Sequence, residues 1–265
     1  MLVKSLRASR EIVAPAAWRR IDFISDLHLA ADTPRGFEAW RSYLLNTGAD
    51  AVFILGDLFE AWVGDDARHQ GFEAQGAQVL TAAAARCKLF FMVGNRDFLL
   101  GDEMLAACGV EGLPDPTALS AFGERVLLTH GDAWCTGDLL YQQFRTQVRN
   151  PLWQSQVLAR PLAERRLMAR SLRSESERAT AEHEGQWFDV DTPTALRAMT
   201  ENDTPTLIHG HTHRPATEAL APGRVRHVLS DWELDHELAP RAEVMRWEPG
   251  RWTRLAPGNA VDAAA

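Results

Sequence analysis

Two carboxylates, four histidines and one amide stand in five short polar signatures spread from residue 26 to residue 213. Asp26 and His28 flank Leu27. Asp57 follows Gly56 in Gly56-Asp57-Leu58-Phe59-Glu60, and Asn95 lies in Gly94-Asn95-Arg96-Asp97. His130 opens His130-Gly131-Asp132, and His211 and His213 belong to Gly210-His211-Thr212-His213. An aspartate and a histidine two apart at a strand exit can both point at one ion. A carboxylate has two oxygens and can bridge two cations, an asparagine adds a neutral carbonyl oxygen, and imidazoles add nitrogens. This nitrogen and oxygen set, free of thiolate, suits Mn²⁺, Fe or Zn²⁺. Two cations bridged in this way sit roughly 3.5–4 Å apart and clamp the attacking and leaving oxygens of a displacement at phosphorus. One such motif alone is a weak signal, because most single histidines are ordinary surface or core residues. Five in series point to a two-metal site.

Each signature follows an apolar run: IDFIS, AVFIL, KLFFMV, RVLLT and PTLIH. The runs are continuous and not alternating, as expected of strands covered on both faces by helices. Strands are predicted near 20–25, 51–55, 88–93 and 124–129, with helices near 36–47, 71–86, 101–108 and 192–200. This is the α/β layered class. Short strands near 216–219, 224–230, 242–247 and 251–255 are expected to form an antiparallel second sheet. Residues 138–184 interrupt the alternation as a helical insertion broken at Pro151 and Pro161. Between 145 and 178 this segment has eight arginines and three acids. Its apolar residues include Trp153, Leu158, Leu167, Met168 and Leu172. One domain over 20–256 is expected, with loose ends at 1–19 and 257–265.

The 265 residues suffice for one large core, and the net charge of -8 does not suggest general nucleic-acid binding. Three cysteines without CxxC spacing argue against a disulfide framework and point to a reducing cytoplasm. No apolar run reaches the roughly 18 residues of a spanning helix, and IVAPAA is too short for a signal sequence. Cys135 reads as a small buried filler sooner than as a reactive thiol. Trp62 and Trp134 flank motifs, where they can wall a pocket or fill a core.

The ordered set D-x-H, GDxxE, GNxD, HGD and GHTH resembles the calcineurin-like metallophosphoesterase superfamily. The resemblance implies a four-layer α/β/β/α sandwich with a dinuclear site. It implies one metal on Asp26, His28, Asp57 and His213, and another on Asp57, Asn95, His130 and His211, bridged by Asp57. His209 falls outside the pattern and reads as structural. The longer wording ILGDLFEAWVGDD, GNRDFLLG, HGDAWCTGDLLYQQFR and IHGHTHRP is similar, over about 21–231, to the UDP-2,3-diacylglucosamine hydrolases, pyrophosphatases of lipid A biosynthesis. That family implies two Mn²⁺ and release of UMP and 2,3-diacylglucosamine 1-phosphate. It also implies a cytoplasmic enzyme peripheral on the inner membrane, with no nucleic acid and no obligate protein partner. Asn95, Arg96 and His211 match catalytic positions. Asn95, Arg96, Asp138, Ser176, Thr180, His183 and His211 match substrate contacts. Thr180 and His183 depart from the usual Asn and Lys, which puts sugar and phosphate contacts there in doubt. The superfamily has His where Arg96 stands. Arginine cannot give up a proton near neutral pH but clamps phosphate bidentately. A phosphate monoester, with a second pKa of about 6, leaves without protonation, so Arg96 suits a diphosphate substrate. The competing readings are a soluble nucleotide pyrophosphatase or phosphodiesterase and a non-catalytic scaffold. The presence of all seven ligands speaks against the scaffold.

Overall fold

The apolar runs become strands with both faces buried, and the polar motifs become the loops that leave them. A computed structural model describes residues 6–182, 188–235 and 240–261, and the side chains of the helix ending at 182 are described through 174. In chain order the elements begin with β1 (Arg10–Val13), β2 (Ile21–Ile24), α1 (Pro34–Asn46), β3 (Ala51–Leu55), α2 (Gly71–Ala84) and β4 (Lys88–Met92). Then come α3 (Asp102–Cys108), β5 (Glu111–Leu113), β6 (Thr117–Ala121) and β7 (Glu124–Leu128). The insertion supplies α4 (Leu139–Val148), α5 (Pro151–Leu158) and α6 (Leu162–Glu182). The chain continues with α7 (Thr192–Glu201), β8 (Thr206–His209), β9 (Ala216–Ala221), β10 (Arg224–Val228), β11 (Val244–Glu248) and β12 (Arg251–Leu255).

The strands form two six-stranded sheets, ordered β12-β11-β2-β3-β4-β5 and β1-β6-β7-β8-β10-β9. Between them lies a core in which Phe53 stacks on Phe23 at 5.4 Å and on Phe90 at 4.4 Å. Leu119, Val126 and Ile208 close this core from the second sheet. Outside the first sheet, α1, α2 and α3 bury Trp40, Tyr43, Leu80 and Met104. Outside the second, α7 buries Ala195, Ala198 and Met199 against Leu127 and Leu207. The layers are therefore helix, sheet, sheet, helix, the sandwich expected from the resemblance.

Three expectations need correction. The last four strands do not form a sheet of their own. β9 and β10 extend the second sheet, where β10 runs parallel to β8, and β11 and β12 extend the first. The N-terminal stretch is not loose throughout, because β1 pairs with β6 in parallel and Ile12 is buried. Nor is the tail loose from 257: Ala260 is fully buried, its carbonyl accepts from Arg246 at 2.6 Å, and Val261 bridges to Thr47. In each case distant chain supplies the partner, which local pattern does not record.

The insertion breaks where the prolines predict. Pro151 starts α5 behind an Asn150 cap that accepts from the amides of Leu152 and Trp153. Among the described residues no helix is long and apolar enough to cross a membrane, and all three cysteines are free.

Candidate metal centre

The loops leaving β2 and β3 are laced together by backbone bonds from Asp26 N to Gly56 O and from Leu27 N and His28 N to Asp57 O. The loop after β8 joins them, since His211 N donates to both Asp26 carboxylate oxygens at 3.0 and 2.9 Å. Gly210 N donates to His130 O, which ties in the loop after β7. Five of the seven candidate residues take left-handed φ: Asp26 at 54°, His28 at 49°, Asp57 at 53°, His211 at 68° and His213 at 52°. Asp and His tolerate this region better than most residues, and such outliers gather where a site demands a particular side-chain direction. Gly94 has a different reason to be glycine: a Cβ there would collide with Asp57 Oδ1 and the Asp57 amide.

The seven side chains meet. His28 Nε2 and His213 Nε2 are 3.2 Å apart, and His213 Nε2 is 3.5 Å from Asp26 Oδ1. Asn95 Oδ1 lies 2.9 Å from His130 Nε2 and 2.8 Å from His211 Nδ1. Asp57 Oδ2 stands between these groups, 3.7 Å from His130 Nε2 and 4.0 Å from His28 Nε2. Its other oxygen accepts from Arg96 N at 2.7 Å, so the free oxygen faces one imidazole of each set. Donor atoms of Asp26, His28 and His213, and of Asp26, Asp57 and His130, fall within 4.8 Å of one another. Metal–ligand bonds of about 2.0–2.2 Å place neighbouring donors roughly 3–4 Å apart, so the donor set fits divalent cations.

Charge in the site points the same way. Asp26 is held well below the usual carboxylate range; burial opposes this, but His213, His130 and His28 outweigh it. His130 is pushed up to about 9: burial resists its charge, while Asp57, Asp26 and Asp132 favour it. His211 is pushed down to about 4 by burial and then by His130. The carboxylates thus draw positive charge to the cluster. A divalent cation held through neutral imidazoles would supply it and release protons.

Behind the seven lie supports that the motif letters contain but do not distinguish from ligands. Asp97 accepts from the amides of Gly94 and Leu58, both at 2.8 Å, and of Asp57 and Phe59 at 3.4 Å. Glu60 Oε2 holds His28 Nδ1 at 2.9 Å, the kind of contact that fixes the tautomer and direction of a ligating imidazole. Asp132, fully buried, accepts from Tyr141 Oη at 2.6 Å and Arg145 Nε at 2.7 Å, joining the HGD loop to α4. Arg149 donates to Gly94 O at 2.7 Å.

Arg96 does not pair with Asp97, which is occupied by backbone amides; its guanidinium lies 3.5 Å from Glu60 Oε1. Asp138 caps α4 by accepting from Tyr141 N at 2.9 Å. Ser176 and Thr180 fall on α6, but their side chains lie outside the described residues, as does His183 altogether. His209 is buried, with Nδ1 against the Gly210 carbonyl at 2.8 Å, apart from the cluster. Cys135 is buried, and burial, with help from Asp132, pushes its thiol up to about 12, which disfavours the thiolate and fits the small buried filler expected. Trp62 and Trp134 are core residues. Arg145, Arg149, Arg165 and Arg166 of the basic insertion face inward, onto Asp132, Asp66 and Glu73.

The chain matches the model of the calcineurin-like phosphoesterases over residues 19–215. It is 44% identical over 225 residues to the UDP-2,3-diacylglucosamine hydrolase of Bordetella parapertussis, covering 82% of this chain and 87% of that one. The enzyme of the same name from Chromobacterium violaceum is 46% identical over 220 residues, covering 80% and 90%. That from Aromatoleum aromaticum is 42% identical over 231 residues, covering 85% and 92%.

Proposed function

The chain belongs to the calcineurin-like phosphoesterases and, within them, to the UDP-2,3-diacylglucosamine hydrolases, and from that premise we propose the reaction it performs. Water attacks the α-phosphorus of UDP-2,3-diacylglucosamine, the anhydride P–O bond breaks, and UMP and 2,3-diacylglucosamine 1-phosphate leave, a step of lipid A biosynthesis. The observation that carries this reading is the convergence of seven oxygen and nitrogen donors from five separate motifs. Two Mn²⁺ would be held by Asp26, His28, Asp57 and His213, and by Asp57, Asn95, His130 and His211. Such a pair, when bound, activates water and neutralises phosphoryl oxygens.

The side chains around it do the rest. Asn95, Arg96 and His211 face the developing negative charge. Arg96 is already poised over an anion, Glu60, and is about one quarter exposed. No side chain needs to protonate the leaving group, because both products are phosphate monoesters.

The lipid part of the reading is supported by the insertion. Of six strongly exposed large apolar side chains among the described residues, five lie on it: Leu139, Leu140, Leu152, Leu158 and Leu167. An ordinary surface helix turns such residues inward, so their number on one insertion suits contact with acyl chains or a membrane surface. We read the helical insertion, described over 138–182, as the cover of the site and the enzyme as peripheral on the inner membrane.

The test is direct. Purified protein with Mn²⁺ should release UMP from UDP-diacylglucosamine, and Asp57→Ala should lower turnover by about a thousandfold or more. UDP-glucosamine without acyl chains should be a poor substrate. Equal turnover of the two would remove the lipid assignment and leave a soluble nucleotide pyrophosphatase.

A further inference from the structure

α6 is held on the body by arginines and scarcely by a core. Among its described side chains, 162–174, only Arg165 is buried, at 4% exposure. Its guanidinium enters the loop between β3 and α2. There it forms a fork on Asp66, with Nη1 2.8 Å from Oδ1 and Nη2 on Oδ2, and Nη1 also donates to the Val63 carbonyl. Nε donates to Arg160 O at 3.0 Å, so the guanidinium also closes the turn between α5 and α6. The socket is shaped for it: Gly64, at φ 123°, has no Cβ, and one would collide with Arg165 Nη1 and crowd Leu158. A bidentate, desolvated guanidinium fixes both position and direction in a way that a lysine would not.

Two further arginines continue the attachment. Arg166 reaches Glu73 at 3.2 Å. Arg173, about 12 Å further along the helix axis, reaches Glu60 Oε1 at 3.5 Å, beside the candidate metal centre. The point where Arg165 enters its socket therefore sets where α6 crosses the mouth of the site. It also sets where the exposed Leu158 and Leu167 stand.

We propose that Arg165 and Asp66 form a positioning pair that determines specificity: they hold α6 in register over the mouth, so that binding of the lipid-bearing diphosphate depends on them and hydrolysis of a small phosphodiester does not. The proposal rests on the substrate reading given above. Neither residue touches the candidate ligands, so the chemistry itself is left intact when the pair is broken.

The test uses the full Mn²⁺-loaded chain as wild type, Arg165→Met and Asp66→Asn. Each is assayed on UDP-diacylglucosamine and on bis(p-nitrophenyl) phosphate, and each is followed by hydrogen exchange. For both variants KM on the lipid diphosphate should rise about tenfold or more with kcat changed less than about threefold, the pattern of lost binding without lost chemistry. The kcat/KM on the small diester should stay within about twofold. Amides of residues 162–174 should exchange about tenfold faster or more, while those of β2, β3 and β4 should not change. Unchanged exchange in α6, or equal losses on both substrates, overturns the proposal. Should Arg165→Met fail to fold, Asp66→Asn decides the matter alone, because the Asp66 side chain is 58% exposed and its replacement leaves the core untouched. A wild-type chain active on the small diester and inert on the lipid diphosphate overturns the substrate reading instead, and the exchange measurement then decides by itself whether the pair holds α6.

Discussion

Asp97 shows what a single letter in a motif can conceal. It stands two residues after Asn95 and has the chemistry of a ligand. Its carboxylate is nevertheless taken up by four backbone amides of the Gly56-Asp57 and Gly94-Asn95 loops. Burial, and then the charge of Asp57, push it up to about 6. Asp97→Asn would replace a pure acceptor by a group with an NH₂ to place among N–H donors. We expect it to cost about 1–3 kcal/mol in urea unfolding, the penalty of leaving buried donors unmatched. We also expect Mn²⁺ affinity, read by calorimetry, to fall about 10–100-fold, as when groups supporting metal ligands are removed. Wild-type values for both would remove Asp97 from this role. All seven residues brought together by the fold were legible in the sequence, because each belongs to a polar motif that closes an apolar run. Glu60, Asp97 and Asp132 stood in the same motifs, but composition does not say whether a carboxylate faces the cavity or the backbone behind it. Only three-dimensional hydrogen bonding separates the two.

At the scale of elements, legibility followed burial. β3, β4 and β7 announce themselves as apolar runs because both faces are covered. β1, β5 and β6 read REIV, EGL and TALSA, too short and mixed to stand out. They become strands through pairing that local pattern does not record, as when Arg10–Val13 lies along Thr117–Ser120, about a hundred residues away. β10 carries a second hidden property. His227 on it is 4% exposed, bonded through Nδ1 to Thr217 Oγ1 at 2.9 Å and packed on Trp252 at 4.8 Å. Burial, and then the Arg254 charge, push it down to about 4. In the unfolded chain it titrates near 6.5. As pH falls below 6.5 the unfolded chain takes the proton first, so the share of stability due to neutral His227 is lost on the way to pH 4. Between pH 7 and 5 the wild type should lose about 1–2 kcal/mol more than His227→Gln in urea unfolding. Parallel losses would show that His227 has no part in acid sensitivity.

At the scale of the whole molecule, two sheets present their motif loops to one edge, and that edge gathers buried acidic groups. Asp26 and Asp57 are buried beside Asp97 and Asp132, and the protein as a whole carries a net charge of -8. The left-handed backbone at five candidate ligands adds strain, of order 1–3 kcal/mol for such a residue. Asp97 and Asp132 are partnered by backbone amides and arginines, and Asp26 by imidazoles and the His211 amide, and a cation bound at the motif loops would add to this stabilisation. A cation that binds the folded chain and not the unfolded one adds about 2.7 kcal/mol when present at a hundred times its Kd. For a chain of this size that corresponds to about 5–10 °C in Tm for each site. Removing divalent ions with a chelator should lower the melting temperature by about that amount for each site emptied, and adding Mn²⁺ back should restore it. Far-UV circular dichroism at room temperature should not change, because the hydrophobic cores between and outside the sheets stay intact. Asp57→Ala should melt at nearly the same temperature with and without Mn²⁺, since it lacks the oxygen that faces both imidazole sets. A wild-type melt indifferent to chelator and to Mn²⁺ would mean that the seven donors meet for another reason, and the hydrolytic reading would fall with the metal centre.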